Sequence, residues 1–145
     1  EKRGHKVELF LFNTFRRLTE ELLRFRPDLI GFSCTTGIHR WAIDMAGRLR
    51  QVLSASIIFG GPHPTFFPEI IDNPSVDIIC IGEGELAITE LADRLDAKED
   101  FYDIENLWVK NTDGGIIKNP VRPLYRIWMD FVFPTGIFIT ANIPF

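Results

Sequence analysis

The chain has 145 residues, a net charge of −4 and a hydrophobic share of 46%. This length and composition predict one globular domain with a single core. The negative charge disfavours nucleic acid as a partner, and no apolar run approaches the roughly 20 residues that span a bilayer. The charged start is unlike a signal peptide, and both cysteines, Cys34 and Cys80, lie in or at the end of apolar runs. We therefore expect a cytoplasmic protein with two buried thiols and no cysteine-built metal site.

Strand-like and helix-like segments alternate over the first two thirds of the chain. Apolar runs indicate the strands, and apolar residues at helical spacing indicate the helices. Asn13 and Thr14 offer an N-cap to the first helix, which Pro27 ends. Such alternation predicts a parallel sheet with helical crossovers. Strands are predicted over 7–12, 28–34, 56–59 and 76–81, and helices over 15–26, 38–52 and 85–96, with a short proline-interrupted helical segment over about 65–72.

The character of the chain changes after Asp96. The runs Leu107–Lys110 and Ile116–Lys118 flank a glycine turn, which predicts a β-hairpin. An unusually apolar and aromatic tail then covers residues 124–145. We therefore divide the chain into an α/β domain over 1–98, a hairpin extension over 99–123 and the tail over 124–145.

Glycine turns follow two successive predicted strands. The first reads GGPHPT over residues 60–65, and the second reads GEGE over residues 82–85. Glycines at the carboxyl end of a buried strand let the backbone approach a ligand closely, and open parallel sheets bind ligands at that end. Hydroxyl groups of Ser33, Thr35 and Thr36 end the preceding strand at the same edge. The pattern predicts one pocket at one rim of the sheet.

The first turn also has a purely structural interpretation. Gly60 and Gly61 could form a tight strand-to-helix corner, and the hydroxyl residues a second turn. His63 has no second histidine or acidic residue at ligand spacing, so a hydrogen-bonding loop residue is favoured over a metal ligand.

The second turn fits a nucleotide site poorly. Gly82 and Gly84 lack the third glycine of a dinucleotide fingerprint, so an oxidoreductase using a nucleotide is the weakest candidate. Glu83 and Glu85 would repel a phosphate and suit helix capping, or hydroxyl and amide donors, better.

Taken together, these segments resemble the cobalamin-binding domain of B12-dependent radical SAM proteins. The joint occurrence of GGPHPT and IGEGE at this separation makes the resemblance specific, and it covers about residues 3–123. The matching stretches are RPDLIGFS at 26–33, IFGGPHPT at 58–65 and VDIICIGEGE at 76–85, and residues 91–95 and the hairpin also fit.

The resemblance implies a flavodoxin-like (Rossmann-like) α/β fold, a five-stranded parallel sheet with helices on both faces, here followed by the hairpin. Cobalamin would lie across the carboxyl ends of the strands, with its nucleotide tail inserted into the domain. Ser33, Thr35 and Thr36 would line the tail or the corrin edge, and Gly60 and Gly61 would admit the tail closely. The rim facing the corrin would consist of Pro62, His63, Gly82, Glu83 and Gly84.

The same resemblance implies that the parent enzymes use cobalamin to carry a methyl group to a radical. That radical arises in a separate barrel, which binds S-adenosylmethionine and a 4Fe–4S cluster. Residues 135–140 resemble the first strand of this barrel, but Ile143 stands where the first cluster cysteine is usual. We therefore expect this chain to bind neither the cluster nor S-adenosylmethionine, to contain no catalytic residue and to act with the barrel as its partner.

The start of the sequence departs from the family as well. Residues 4–9 resemble the entry to the family's second strand, so the first strand and helix are expected to be missing. In the strand order 2-1-3-4-5 the missing strand is an interior one, and its loss leaves backbone groups unpaired. We hypothesise that the apolar run 136–143 fills this gap, within one chain or swapped from a second copy.

A hypothesis from a different class is a cofactor-free interaction domain. In this alternative the flavodoxin-like fold dimerises through its apolar tail at 124–145. A dimer that forms without cobalamin would favour it.

Overall fold

The computed structural model of the protein describes residues 4–10 and 14–123. Within these residues five strands form one sheet. One α-helix precedes the first strand, and three α-helices and one 3₁₀ helix lie between later strands. The strands are β1 (Leu29–Ser33), β2 (Ser56–Gly60), β3 (Ile78–Cys80), β4 (Leu107–Lys110) and β5 (Ile116–Lys118). The helices are α1 (Phe15–Phe25), α2 (His39–Arg50), α3 (Pro62–Phe66) and α4 (Glu85–Ala97), with the 3₁₀ helix over Pro68–Asp72.

The sheet is parallel over its first three strands and antiparallel over the last two. β1 pairs with β2 and β2 with β3 in parallel, whereas β4 pairs antiparallel with β3 and with β5. The predicted hairpin therefore joins the sheet at the edge of β3. The predicted flavodoxin-like α/β fold is confirmed: in the described residues, three strands are parallel and the other two form the antiparallel hairpin.

Alternating side chains give the sheet two different faces. Phe32 and Phe59 stack on one face, with ring centroids 5.0 Å apart, under the apolar sides of α1 and α2. Ile58, Ile78 and the other residues of opposite parity face α4 instead. Helices thus cover both faces, as a parallel sheet requires.

The predicted first strand does not form over the described residues 7–10. Phe10 is buried, and its ring meets that of Phe25 edge-on with centroids 5.6 Å apart. Without a strand ladder, this segment is held by the buried Phe10 ring, by a 2.8 Å hydrogen bond between His5 Nε2 and Asp93 Oδ1 and by the Lys6 ammonium over the Phe25 ring. The apolar pattern alone does not reveal these contacts. Residues 11–13 and the tail at 124–145 lie outside the described residues, and so does the hypothesis about 136–143.

Both cysteines are buried, as the sequence predicts. Burial raises the pKa of the Cys34 thiol to about 11. Burial, followed by the nearby Glu85 carboxylate, raises the pKa of the Cys80 thiol to about 12, although Arg122 opposes the shift. Neither thiol is therefore ionised near neutral pH. In the described part of the chain, no helix is long and apolar enough to cross a membrane.

A buried asparagine joins the end of β3 to the hairpin. Asn106 is 1% exposed and has a positive φ of 73°, which asparagine tolerates better than most residues. Its side-chain amide donates to the carbonyls of Ile81, at 2.7 Å, and Glu83, at 3.2 Å. Its side-chain oxygen accepts from the Arg122 N–H at 3.0 Å. One side chain therefore holds the second glycine turn against the segment that follows β5.

We expect Asn106→Ala to lower the free energy of unfolding by about 2–4 kcal/mol. Three side-chain hydrogen bonds are lost, the carbonyl oxygens of half-buried Ile81 and exposed Glu83 lose the amide donor, and alanine is strained at positive φ. Asn106→Gly relieves only the backbone strain, so it should cost about 1 kcal/mol less. Chemical denaturation of both variants measures these values, and a loss under about 0.5 kcal/mol in both would contradict this account.

Candidate functional site

The ends of β1 and β2 are joined by backbone hydrogen bonds. Ser33 is the register partner of Gly60. Beyond this pair, the Cys34 N–H donates to the Gly60 carbonyl at 2.9 Å, and the His63 N–H donates to the Cys34 carbonyl at 3.0 Å. The loop after β1 and the first glycine turn therefore form one structure at the carboxyl edge of the sheet.

Gly61 makes this junction possible. Its φ of 91° and ψ of −168° lie in a region that is essentially restricted to glycine. A Cβ atom there would lie 3.0 Å from Ser33 Oγ and 3.2 Å from both the nitrogen and the oxygen of Cys34. The space that its missing side chain leaves is therefore occupied by the protein's own chain, which differs from the expectation that Gly61 admits a ligand.

Gly60 differs from its neighbour. A Cβ atom at Gly60 would meet only Cys80 Cβ, at the ordinary contact distance of 3.9 Å, and one at Gly31 would meet only Ile58 Cγ2 at 3.7 Å. Because side chains alternate along β1 and β2, Gly31, Ser33 and Gly60 share the sheet face that also carries Cys80. We call Gly31, Ser33 and Gly60 the small-residue strip; all three are half-buried and uncharged.

The hydroxyl group of Thr65 connects the two glycine turns. Thr65 Oγ1 donates to the Gly61 carbonyl at 2.9 Å and accepts from the Gly82 N–H at 3.0 Å. Both turns therefore lie at the same edge of the sheet, as the sequence predicts.

A stack of three aromatic rings lies beneath this edge. The His63 ring lies between those of His39, with centroids 4.0 Å apart, and Phe67, with centroids 5.1 Å apart. Its Nδ1 is 3.2 Å from Thr36 Oγ1, and His39 Nδ1 contacts the Thr36 carbonyl. His63 is only 7% exposed, so its ring contacts rim residues from the interior and does not form the surface of the rim.

Burial lowers the pKa of His63, and the neighbouring His39 imidazole lowers it further, while Glu69 opposes the shift. The lowered pKa means that the His63 ring is neutral near neutral pH. Within the described residues, no group of three or more His, Cys, Asp and Glu side chains could hold a metal ion.

The second glycine turn leads directly into α4. Gly82 has a φ of 75°, and Gly84 precedes the first residue of α4, Glu85. A Cβ atom at Gly84 would lie 3.3 Å from Cys80 Sγ, so this turn also packs against the end of β3. Glu85 lies in the first turn of α4, where a carboxylate complements the helix dipole. Glu83 is exposed on the turn.

The structure thus brings the ten predicted site residues to one edge of the sheet, where they differ in burial. Five are exposed on the rim, namely Thr35, Thr36, Pro62, Gly82 and Glu83. Four are half-buried, namely Ser33, Gly60, Gly61 and Gly84, and His63 is buried. Thr65 and Asn106 were not among the predicted site residues. The GGPHPT motif includes Thr65, but no local pattern reveals that its partner is Gly82, and nothing near Asn106 points to its three partners.

A family model of the B12 binding domain matches residues 1–92. The chain belongs to the B12-binding domain family. The resemblance of the sequence to the cobalamin-binding domain is therefore confirmed, and so is cobalamin as the cofactor class of the family.

Curated relatives are methyltransferases. An uncharacterized methyltransferase of Pyrococcus horikoshii is 32% identical over 116 residues, which are 78% of this chain and 25% of that protein. The cytidylyl-2-hydroxyethylphosphonate methyltransferase of Streptomyces wedmorensis is 22% identical over 110 residues, 74% of this chain and 21% of that protein. The chain thus spans about a quarter or less of the length of these relatives.

Solved structures share the fold. The cobalamin-dependent S-adenosylmethionine radical enzyme OxsB aligns with a TM-score of 0.70 and 23% identity, over 85% of this chain and 18% of the enzyme. A second structure is that of TsrM of Kitasatospora setae, a radical S-adenosylmethionine methyltransferase solved with cobalamin and a 4Fe–4S cluster bound. It aligns with a TM-score of 0.65 and 22% identity, over 85% of this chain and 24% of the enzyme. At these identities the likeness supports the fold alone.

We expect Gly61→Ala to lower the free energy of unfolding by about 2–3 kcal/mol, because it combines a glycine-only conformation with contact against the Cys34 backbone. Gly60→Ala is the matched control. Its Cβ meets no atom closer than 3.9 Å, so the change should stay within about 1 kcal/mol. Chemical denaturation gives both values, and equal losses would refute the different positions assigned to the two glycines.

Stability should fall below neutral pH through His63. Since the folded state lowers the pKa of His63 from its ordinary 6.5, the unfolded chain binds the proton more readily. The contribution of neutral His63 is therefore complete above about pH 6.5 and is lost as the pH falls toward the lowered value. His63→Phe keeps an aromatic ring in the stack but removes the titration. Melting temperatures between about pH 7.5 and pH 4.5 should decline less steeply in this variant; parallel curves would contradict the prediction.

Proposed function

We propose that this chain is the cobalamin-binding module of a larger methyltransferase of the radical SAM class and has no catalytic activity alone. The small-residue strip beside the open rim is the observation that carries the proposal. Membership of the B12-binding domain family and the methyltransferase relatives support it. When bound, cobalamin supplies a carrier for a methyl group.

The small-residue strip would receive the nucleotide tail. A Cβ atom at Gly31 or Gly60 would have only one neighbour, at ordinary contact distance, so there is space for a small group at both positions. Ser33, the register partner of Gly60, adds a hydroxyl group beside it. Half-buried, uncharged positions of this kind can enclose a ligand without the cost of covering a charge. The residues present therefore fit the group.

The exposed rim would receive the edge of the corrin. Thr35 and Thr36 offer hydroxyl groups, and Glu83 offers a carboxylate that can accept from amide donors. Pro62 and Gly82 contribute backbone surface without long side chains. Gly61 and His63 would act indirectly, since they hold the loops that carry these groups.

The remaining chemistry would belong to the rest of the protein. Because the chain spans only about a quarter of its curated relatives, we assign the S-adenosylmethionine and 4Fe–4S chemistry to a partner barrel. A cytoplasmic location and the division into residues 1–98, 99–123 and 124–145 stay predictions, as does a homodimer formed through the tail.

The proposal predicts saturable cobalamin binding by the full chain, followed by visible absorbance. Gly60→Ala should weaken binding about tenfold or more, because the added methyl group occupies the small-residue strip while the fold is kept. Ser56→Ala, at the other end of β2, is the control and should bind as the wild type does.

A wild-type chain that shows no saturable spectral change would refute the proposal. Analytical ultracentrifugation would then decide the alternative, since a stable dimer without cofactor is what the interaction-domain hypothesis expects. Equal binding by Gly60→Ala and wild type would instead remove the small-residue strip from the site.

A further inference from the structure

The Thr65 hydroxyl group is the polar link between two turns that belong to different strands. The first turn continues from β2 and the second from β3. Thr65 lies in α3, 17 residues before the Gly82 amide that it accepts from. We propose that Thr65 is a positioning residue of the cobalamin site, which fixes the distance between the two turns. This inference rests on the proposed function.

Each hydrogen-bonding role of this hydroxyl group is determined. A hydroxyl has one hydrogen to donate and lone pairs that accept. The hydrogen goes to the Gly61 carbonyl, which lies 2.9 Å away, because a carbonyl can only accept. A lone pair then receives the Gly82 N–H at 3.0 Å, because an amide nitrogen can only donate. Thr65 therefore cannot turn its hydroxyl group elsewhere without breaking a bond to one of the turns.

The two turns are anchored on their far sides by other elements. Gly61 is held against Ser33 and Cys34 at the end of β1. The residues on either side of Gly82 are held by the Asn106 amide through their carbonyls. Among the described residues, the Thr65 hydroxyl makes the hydrogen bonds that connect the first turn directly to the second. Both anchored turns depend on it for their mutual spacing.

Loss of the hydroxyl group should affect positioning more than folding. Gly82 is exposed, so water can reach its N–H when Thr65 Oγ1 is absent. The Gly61 carbonyl still accepts from the Thr65 N–H, at 3.4 Å. The elements would persist while the spacing of the turns loosens, and a rigid ligand that touches both turns would bind more weakly because binding must restore that order.

Two variants separate the hydroxyl group from the shape of the side chain. Thr65→Val keeps the branched shape without the hydroxyl, and Thr65→Ser keeps the hydroxyl without the methyl group. In cobalamin titrations of the full chain, we expect the dissociation constant to rise about tenfold or more for Thr65→Val and to stay within about threefold for Thr65→Ser. Circular dichroism establishes that each variant is folded.

Amide hydrogen exchange at Gly82, measured by NMR without cofactor, tests the inference independently of binding. The exchange should be slow in the wild type and in Thr65→Ser, and about tenfold faster or more in Thr65→Val. If the wild type bound no cobalamin, the proposed function would fail while this measurement still decided the role of Thr65. The inference is overturned if Thr65→Val binds or exchanges as the wild type does, or if Thr65→Ser is as impaired as Thr65→Val.

Discussion

The close contact of Gly61 with the backbone of Cys34 determines how the carboxyl edge of the sheet is built. The Cys34 nitrogen and oxygen lie 3.2 Å from the position of a Cβ atom, so any side chain at residue 61 would have to displace this backbone. Because Gly61 has none, the chain leaving β2 can pass directly over the end of β1. The His63 N–H then reaches the Cys34 carbonyl, and α3 begins in the orientation that directs Thr65 toward the next turn.

Uncharged polar side chains join the loops at this edge of the sheet by hydrogen bonds. Thr65 connects the first turn to the second, and Asn106 connects the second turn to the hairpin and to Arg122. A buried amide or hydroxyl group is stabilising only when its partners are in place, so these connections also specify a single arrangement of the loops. The edge can therefore be rigid although three separate loops form it.

The order of elements could be predicted from the sequence because apolar periodicity is a local signal. The hairpin strands, for example, begin and end at the predicted residues. The segment at 7–10 shows the limit, since an apolar run does not reveal whether a neighbouring strand is available to pair with it. Gly60 and Gly61 show a second limit. Adjacent glycines look alike in sequence, yet Gly60 belongs to the small-residue strip and Gly61 contacts Cys34. The second contact depends on β1, which lies far earlier in the chain.

The parity of the strands gives the two faces of the sheet different side chains at its carboxyl edge. Phe32 and Phe59 lie one position from Gly31 and Gly60, so their rings fill the face under α1 and α2. On the other face, the same alternation places Gly31 beside Ile58 and Ser33 beside Gly60. A shift of one residue in either strand would bring a phenyl ring into the small-residue strip and expose the core. The stacked phenylalanines therefore fix the register that keeps aromatic rings out of the small-residue strip.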